Sequence, residues 1–556
     1  MKKIPYGISD YEVLKIEDYY YVDKTMYLEK LENVAKPLVF LRPRRFGKTL
    51  FTSMMYYYYD INSKDKFNTL FKDTYVYDNP TKNKNNYYVL KLDFSGMSGD
   101  EETLNLQFKN KILGAIEKFN NYYNFKVKIE KEKTPNMIMY DFLNSFDNLQ
   151  LKNKLYIIID EYDNFTNSIL ESDTSKFKNF LGNDGYLKSF YAIIKEYSGL
   201  GVVDRVFITG VCSLTLDSMT SGFNIATNIT NDFRFNSMLG LTYDEVKELL
   251  KEIDKDKQGE MFNVLRDNYD GYLFNDEVND KIFNSTLVMR FLNYYYETNN
   301  YPKELLDPNI TPNYEQIANI IKIQNNGYYK EILGTILKQK EIISELRSNF
   351  SLDLSLNRDD IVSLLYYFGY LTIYKDSYGK NLIFRVPNNI INEVYNGYFI
   401  SMLKDIDINI KKDKIIEIIK EIVETGKIDK VSEYVSEILK LSDNRIFMKF
   451  DEKYIQLLYF SLLIGNKEFS IYNEYQCSNG YIDLMIFKNN NLCKHNIMIE
   501  LKYIKKRDYS KNLFNKIKNE GIEQLNKYAL DERIDKDTKK YLVIFVGNKI
   551  KLLEEI

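Results

Sequence analysis

The sequence predicts an α/β protein with a parallel sheet and helices at its N-terminal end, a helical and winged-helix middle, and a second α/β domain at its C-terminal end. Three observations predict this order. Short apolar strands alternate with longer helical stretches over residues 1–240. Helical periodicity dominates about 241–350 and a helix with a hairpin follows from near 357 in the middle region 241–410, and helices mix with short strands over residues 411–556. A chain of 556 residues is also long enough for several domains.

Composition limits the chemistry that the chain could perform. Apolar residues make up 44% and charged residues 28%, which is typical of a globular protein rather than of long disordered arms. The single histidine, His495, excludes histidine triads and multi-histidine metal sites. The three cysteines lie far apart without a CxxC pair, so a disulfide framework is excluded as well. Catalysis would therefore depend on carboxylates, lysine, tyrosine, backbone amides or a hard metal ion.

Charge and hydropathy bear on partners and location. The net charge of −3 indicates no global basic field, so nucleic-acid binding would have to come from local patches. The first residues carry no apolar run after their lysines, and no stretch approaches the roughly 18 apolar residues of a membrane span. We therefore expect a soluble, cytoplasmic protein without a signal peptide.

Four short apolar segments are the predicted strands of the first domain. They are 37–41, 87–94, 154–160 and 205–210. Polar or glycine-containing sequence follows each segment, and the stretches between them are long enough for crossover helices. This alternation is typical of a parallel sheet that is covered by helices.

The middle of the chain contains a helical part and a separate unit near residue 357. Asn357 is a suitable cap for a helix whose apolar residues recur at helical spacing. Residues 371–386 then predict a hairpin that turns near 377–380. A helix followed by a hairpin suggests a winged-helix unit, which could bind DNA or, as the preferred interpretation, serve as a packing module.

The C-terminal domain begins near a charged amphipathic helix at 411–422. A buried helix at 452–464 follows, and a second helix near 516–530 precedes the last predicted strand at 540–547. The other predicted strands lie in FSIYNEYQ, GYIDLMIFK and IMIELKYI. This arrangement indicates a compact α/β domain of its own.

A phosphate-binding loop is predicted between the first strand and the first long helix. Gly47 allows the backbone to approach a phosphate, Lys48 could reach the β- and γ-phosphates, and the Thr49 hydroxyl could ligate Mg²⁺. Arg42 occupies the position where the usual pattern has its first glycine, which puts hydrolysis in doubt more than binding. Arg45 is a candidate nucleotide contact because basic loop residues attract phosphates. Alone, the motif also fits a strand that ends in glycine and a capping lysine.

An acidic pair is a second motif that supports the interpretation of this loop as a nucleotide site. The apolar strand in KLYIIIDEYD ends in Asp160 and Glu161, and acids at a strand's carboxyl end lie where open α/β sheets bind ligands. Asp160 could hold the Mg²⁺ shell, and Glu161 could orient or deprotonate a water. Both motifs together favour a nucleotide site over a solvated strand end. Thr209, which ends the strand VFIT, could sense the γ-phosphate or be an ordinary strand terminus.

Several segments carry a resemblance to a known family. RPRRFGKTL, IIIDEYD, residues 207–230 and YDGYLFN closely resemble the bacterial AAA-ATPase-like family fused to a PD-(D/E)XK nuclease domain. The resemblance resumes with YYFGYLTI and FRVPNNII, and the arginine-rich form of the loop is itself typical of that family. It implies a P-loop fold in the first domain with ATP as its ligand.

The C-terminal strands contain two acids and a lysine at suitable spacing. Asp483 lies in GYIDLMIF, and Glu500 and Lys502 lie two residues apart in IMIELKYI, so that they share one face of their strand. Asp483 and Glu500 could grip one Mg²⁺ or Mn²⁺, with the Leu501 carbonyl as a further ligand. Lys502 could orient the attacking water. Alone, such a pair also fits a half-exposed strand.

The resemblance implies roles for these side chains and for some of their neighbours. The order of strand acid, strand Glu-x-Lys and helix is that of PD-(D/E)XK nucleases, so a restriction-endonuclease-like domain with these metal-binding and catalytic residues is implied. Glu474 and Glu452 are looser candidates for additional acids. Gln524 and Tyr528 match a QxxxY arrangement that backs the active site or touches nucleic acid in some members, although a pair on a helix surface explains them too.

Three functional hypotheses follow. The first is Mg²⁺-dependent hydrolysis of nucleic acid, with DNA as the expected substrate, gated or driven by ATP. Eight basic residues against four acids over 500–528 agree with phosphate contact or with a solvated basic face. The second is a nucleotide-controlled binding or switch protein with an inactive nuclease fold. The third keeps the nuclease and makes the N-terminal site a nucleotide sensor that does not hydrolyse.

Overall fold

The computed structural model describes most of the chain, in two compact units. The described residues are 2–127, 129–165, 185–213, 225–302, 304–305, 328–348, 350, 356–376, 380–405, 408–441, 451–466, 468–489 and 492–556. The first unit contains those of 2–302, 328–329 and 341–389, and the second those of 304–305, 330–340 and 390–556. Two domains could pack into one unit, so the predicted ranges 1–240, 241–410 and 411–556 stay a prediction.

A parallel sheet of five strands forms the core of the first unit. Its strands are β1 (Leu38–Leu41), β2 (Tyr87–Asp93), β3 (Lys154–Asp160), β4 (Val203–Gly210) and β5 (Thr227–Asn228). They lie in the order β2–β3–β4–β1–β5, and every pairing is parallel. The four predicted strands are confirmed, and their carboxyl ends meet at one edge of the sheet, where β4 separates β1 from β3.

Helices cover both faces of this sheet and explain why its strands are continuous apolar runs. They are α1 (Tyr11–Ile16), α2 (Met26–Glu32), α3 (Lys48–Tyr59), α4 (Phe67–Phe71), α5 (Tyr75–Asp78), α6 (Glu101–Tyr123), α7 (Pro135–Asn148) and α8 (Tyr186–Gly199). Local sequence sets their starts. The Asp100 carboxylate accepts a hydrogen bond from the Thr103 N–H and caps α6, and Pro135 opens α7.

The first unit continues in α9 (Tyr243–Ile253), α10 (Gln258–Tyr269) and α11 (Ser285–Thr298), and α12 (Tyr328–Gln339) lies largely in the second unit. Next come β6 (Glu341–Glu345), α13 (Arg358–Tyr367), β7 (Thr372–Asp376) and β8 (Asn381–Arg385), and the three strands pair antiparallel in the order β6–β8–β7. Asn357 caps α13 as predicted, while residues 377–379 of the predicted turn lie outside the described residues.

The predicted helix and the antiparallel strand pair of the predicted hairpin are thus confirmed. The burial of the helix then bears on the choice between DNA binding and packing. Every residue of α13 from Ile361 to Tyr367 is buried in the first unit. A helix that enters a DNA groove has to expose one face, so α13 is a packing element.

A mixed sheet of five strands organises the second unit. Its elements are α14 (Asn389–Asp405), α15 (Lys412–Thr425), α16 (Asp429–Leu441), α17 (Glu452–Leu463), β9 (Phe469–Cys477), β10 (Gly480–Lys488), β11 (Ile497–Ile504), α18 (Lys511–Tyr528), β12 (Lys539–Val546) and β13 (Lys549–Glu555). The strands lie in the order β13–β12–β11–β10–β9. Only β11 and β12 are parallel, and α18 makes the crossover that a parallel pair requires.

The predicted α/β fold class is therefore confirmed in both units. The predicted helices and strands of the second unit are present, and α16 and β13 are additions that the sequence analysis missed. None of the helices in the described ranges combines the length and apolar character that a membrane crossing requires.

Candidate functional site

Lys48 is the first residue of α3 and is buried at the base of the predicted phosphate loop. It follows Gly47, whose φ of 92° is a left-handed conformation that glycine adopts without strain. The Lys48 ammonium donates hydrogen bonds to the carbonyl oxygens of Arg42 and Pro43, each at 2.9 Å. Burial lowers the pKa of Lys48 to about 8, against the opposing effect of nearby acids, of which Asp163 is the largest contributor. In this state Lys48 bonds to the loop itself.

The remaining carbonyl groups of the loop are also held by protein donors. Those of Arg44, Arg45 and Phe46 accept hydrogen bonds from the Asn284 side-chain amide at 3.4 Å, the Thr286 N–H at 3.2 Å and the Gly240 N–H at 3.1 Å. Every carbonyl from 42 to 46 is therefore engaged within the first unit. The carbonyls of Arg44, Arg45 and Phe46 are held by donors outside the loop, and these three bonds restrain its shape, which favours preorganised binding of an anion.

Thr49 and Asp160, the two predicted Mg²⁺ ligands of this site, come together. Asp160 ends β3 and is only 1% exposed, and the Thr49 side chain is one of the polar groups near its carboxylate that lower its pKa against the larger effect of burial. It also accepts a hydrogen bond from the Thr52 hydroxyl at 3.1 Å. Burial raises the pKa of Asp160. The structure thus joins the strand acid and the helix hydroxyl that the sequence analysis assigned to one ion.

Glu161 and Thr209 lie at the same edge of the sheet. Glu161 has a left-handed backbone with φ of 51°, and its carboxylate accepts a hydrogen bond from the Asn164 amide at 2.7 Å. Burial raises its pKa. Thr209 pairs with Phe40 of β1, and within the described residues its buried hydroxyl oxygen has no hydrogen-bond partner. Glu161 lines the cavity beside the loop, whereas Thr209 does not line it.

A cavity of about 410 Å³ opens beside the loop. Its polar end contains Arg44, Arg45, Gly47, Lys48, Thr49 and Glu161. Its other walls are largely apolar, with Ile8, Leu14, Val22, Met238 and Leu239 among them. Arg44 and Arg45 therefore line the cavity, whereas Arg42 does not. Basic and polar lining residues beside apolar walls suit a nucleotide.

Asp483 of β10 and Glu500 of β11 lie opposite each other, because the neighbouring pair Leu484↔Ile499 fixes the register of these antiparallel strands. The Leu501 N–H donates a hydrogen bond to the Asp483 carboxylate at 2.8 Å. Asp483 is therefore tied to the residue that follows Glu500, and the two acids are held together by strand geometry.

Lys502 completes the predicted cluster. Its ammonium donates a hydrogen bond to one Glu500 oxygen at 2.7 Å. Glu500 is 2% exposed, and its other oxygen, Oε2, is buried without a hydrogen-bond partner in the described part of the chain. An unsatisfied buried carboxylate oxygen is costly, and a hard cation is a group that would satisfy it. The three residues therefore fit a Mg²⁺ or Mn²⁺ ion.

The pKa values of the cluster agree with this fit. Burial, together with the charge of Asp483, raises the pKa of Glu500 to about 8, and burial also raises the pKa of Asp483. Burial alone would lower the pKa of Lys502, but Glu500 and Glu452 raise it. Each of the two buried carboxylates disfavours the charged form of the other. A divalent cation beside them would offset this repulsion, so that both would ionise readily.

Glu452 and Glu474, the two additional candidate acids, do not provide a third metal ligand. Glu452 begins α17 and lies 3.9 Å from the Lys502 ammonium, whereas Glu474 of β9 is ion-paired with Lys453 and, at 3.9 Å, with Lys340. Across the described residues no group of three or more His, Cys, Asp and Glu side chains is arranged to hold a metal. Two carboxylates and backbone oxygens are thus what this centre offers.

Gln524 and Tyr528 of α18 lie beside the cluster. A cavity of about 510 Å³ is lined by Gln524 together with Glu452, Lys502 and Lys527. The Tyr528 ring packs on Gly480, where an added Cβ would come within 3.1 Å of it, and burial with the charges of nearby acids raises the pKa of Tyr528 to about 12. The basic residues of 500–528 that are exposed are Lys505, Lys506, Arg507, Lys511, Lys516 and Lys527.

Gln456 is a site residue that the sequence analysis missed. Its side chain is 1% exposed on α17 and donates a hydrogen bond to the Asp483 carbonyl at 2.6 Å. The sequence did contain a signal for it, because Gln456 is the one amide side chain inside the apolar run YIQLLYF. A polar side chain that is buried in such a run needs a specific hydrogen-bond partner.

Comparisons with known proteins agree with this order of sites. Residues 5–220 match the family described as "Predicted AAA-ATPase", and residues 450–555 match the PD-(D/E)XK nuclease superfamily. An uncharacterized protein in the vnfD 5′ region of Azotobacter chroococcum mcd 1 is 26% identical over 317 residues. That match covers 53% of this chain and 54% of the relative, so the chain spans about half the length of the curated relative it matches.

A solved structure was also found to be similar. The Aeropyrum pernix ORC2 protein, in its ADPNP–ADP complexes, has 11% identity, with 68% of this chain and 93% of that chain covered and a TM-score of 0.27. The two family matches correspond to the two parts of the resemblance that the motifs indicated, the ATPase-like part and the nuclease part. The chain therefore carries a predicted AAA-ATPase segment followed by a PD-(D/E)XK nuclease superfamily segment, which confirms the family that its motifs indicated.

Proposed function

We propose that the chain binds ATP at its N-terminal loop and hydrolyses phosphodiester bonds of nucleic acid, with DNA as the expected substrate, at its C-terminal cluster. ATP would gate or drive the cleavage. The observation that carries the proposal is the buried Glu500 oxygen without a partner among the described residues. The Glu500 carboxylate lies opposite Asp483 across the strand pair and accepts a hydrogen bond from Lys502 through the other oxygen.

In this proposal Asp483 and Glu500 hold the ion, and the Leu501 N–H fixes the position of Asp483. A divalent ion bound there lowers the pKa of a water and offsets charge on the phosphate. Lys502 keeps its proton, since its pKa is raised, and orients the attacking water or stabilises the developing charge. The exposed basic residues around α18 bind the phosphates of the backbone.

The nucleotide site would use residues on both sides of its loop. Lys48 leaves the carbonyls of Arg42 and Pro43 when phosphate oxygens offer stronger, charged acceptors. Thr49 and Asp160 hold Mg²⁺, and Glu161 positions a water for hydrolysis. The apolar end of the cavity receives the base. Arg44 and Arg45 contribute positive charge at the mouth of the loop.

A second function has one observation in its favour. Because only two carboxylates converge at the centre within the described part of the chain, the nuclease fold could be catalytically inactive, and the chain would then be a nucleotide-controlled binding or switch protein. Such a protein would bind nucleic acid or protein in response to ATP and would cut no strand at any metal concentration.

The test uses the purified full chain with plasmid DNA, linear DNA and single-stranded RNA, in Mg²⁺ or Mn²⁺, with and without ATP. Asp483→Asn should abolish cleavage and leave ATP binding unchanged, while Lys48→Ala should weaken ATP binding and alter its effect on cleavage. Glu433→Gln, an exposed acid on α16, is the matched control. Cleavage that survives Asp483→Asn would refute the site. ATP-dependent binding without cleavage in the unaltered chain would favour the second function.

A further inference from the structure

Arg42 is a buried cation at the start of the nucleotide loop, in the position where such loops usually have glycine. Its side chain is 1% exposed. The guanidinium donates hydrogen bonds to the carbonyl oxygens of Leu41 at 2.9 Å, Thr230 at 2.7 Å and Phe235 at 3.0 Å. All three acceptors are backbone carbonyls, so among the described residues the charge is solvated by the main chain rather than by an acid.

Two aromatic rings enclose the same guanidinium. Its central carbon lies 4.2 Å from the centre of the Phe40 ring and 4.0 Å from that of the Phe274 ring. Phe46, at the other end of the loop, meets the Phe274 ring edge to face at 5.5 Å. Phe274 therefore contacts both ends of the loop, and Arg42 is packed between this ring and the strand that leads into the loop.

Burial of this charge has a cost that the contacts have to offset. Burial lowers the pKa of Arg42 to about 9, which shows how unfavourable its charged form is there. A buried, unpaired cation is rarely kept unless its hydrogen bonds fix something. What these bonds fix is the loop, because the Arg42 carbonyl is also one of the two acceptors that hold Lys48.

We infer that Arg42 is a positioning residue for the nucleotide site, which fastens the loop to the segments of Thr230, Phe235 and Phe274 and thereby sets Lys48. The inference rests on the proposed nucleotide site and goes beyond it. An arginine replaces the usual glycine without blocking the phosphates, because its side chain leaves the cavity and enters the protein interior.

Arg42→Gly restores the usual glycine of the loop. It therefore distinguishes an arginine that positions the loop from one that the loop merely accommodates. If Arg42 positions the loop, the Kd of the full chain for ATP and Mg²⁺ should rise about tenfold or more in Arg42→Gly and Arg42→Met. Arg42→Lys keeps the charge but lacks the fork that reaches several carbonyls, so its loss should be smaller. Arg205→Met, which removes another arginine that bonds to a backbone carbonyl of this unit, is the matched control and should leave the Kd unchanged.

The readouts are the Kd from a fluorescent ATP analogue and the amide hydrogen exchange of residues 44–48. A purely structural arginine would lower the unfolding temperature without raising the Kd or the exchange of the loop. Unchanged affinity in Arg42→Gly, while Lys48→Ala loses binding, would overturn the inference and leave the nucleotide site standing. No binding by the unaltered chain would overturn the proposed site and the inference with it.

Two variants cover the case in which Arg42→Gly fails to fold, as judged by circular dichroism. Arg42→Lys should still show faster loop exchange than the unaltered chain. Phe274→Leu removes the ring that contacts Arg42 and Phe46, and it should raise the Kd by several-fold. Unchanged Kd and unchanged exchange in both folded variants would overturn the inference.

Discussion

The carboxylate of Asp483 accepts a hydrogen bond at 2.8 Å from the backbone N–H of Leu501, the residue between Glu500 and Lys502. This bond joins β10 to β11 at the point where their side chains form the cluster. Because side chains alternate along a strand, it fixes Glu500 and Lys502 on one face and brings Asp483 toward them. A shift of β11 by one residue would turn both functional side chains to the opposite face.

Loss of the Glu500 charge should stop cleavage without unfolding the protein. We expect Glu500→Gln to reduce cleavage about a hundredfold or more, since even indirect partners of metal ligands are worth about 10–100-fold. Gln456→Asn should cost less, because it leaves both carboxylates in place. Cleavage rates on one DNA substrate at saturating Mg²⁺ measure both effects. Equal activity of Glu500→Gln and the unaltered chain would contradict the assigned role.

Metal binding to the cluster should strengthen as the pH rises toward 8. The pKa of Glu500 is raised from its ordinary value of 4.5 to about 8 by burial and by Asp483, so protons compete with the ion below that pH. By the same shift, the contribution of Glu500 to the stability of the metal-free protein is fully present below pH 4.5 and is lost as the pH rises through about 8. Calorimetric titration with Mn²⁺ and thermal unfolding across this window measure the two trends. Glu500→Gln should flatten both, and an unchanged slope in that variant would argue against this assignment.

ATP binding should weaken as the pH rises above about 8. Burial lowers the pKa of Lys48 to about 8, so the nucleotide-free protein loses this positive charge from there upward. Phosphate oxygens bind the protonated amine, so affinity should be nearly constant just below that pH and fall above it. Lys48→Met should bind weakly with no such fall. A Kd that is independent of pH in the unaltered chain up to pH 10 would contradict this role for Lys48.

Gly480→Ala should disturb the site through Tyr528. An added Cβ would lie 3.1 Å from the Tyr528 ring, and the φ of 139° strains any other residue, so we expect a loss of stability of about 1–3 kcal/mol and reduced cleavage. Gly465→Ala is the matched control, because its φ is also positive, at 80°, but no atom lies within 4 Å of the added Cβ. Urea unfolding and cleavage rates compare the pair. Equal effects on cleavage would show that the Tyr528 contact is not involved.

Local patterns predicted much of this protein. The apolar runs of β1 to β4, the cap at Asn357 and the Glu-x-Lys spacing are short-range features, and a sequence displays them directly. The sequence analysis missed α16, although Val431, Val435, Ile438 and Leu439 recur at helical spacing. It missed β13 because KIKLLEE alternates only weakly.

The sequence by itself determined which residues are able to act: a Gly-Lys-Thr loop, acids at strand ends, and a chain with one histidine in which carboxylates and lysine have to carry the chemistry. Only the tertiary structure decided how they meet. It placed Arg42 in the interior, bonded Lys48 to its own loop, paired Glu474 with lysines and left one Glu500 oxygen unsatisfied among the described residues. Motifs are local and follow from neighbouring residues, whereas burial, charge pairing and desolvation depend on segments far apart in the chain, whose approach only packing sets.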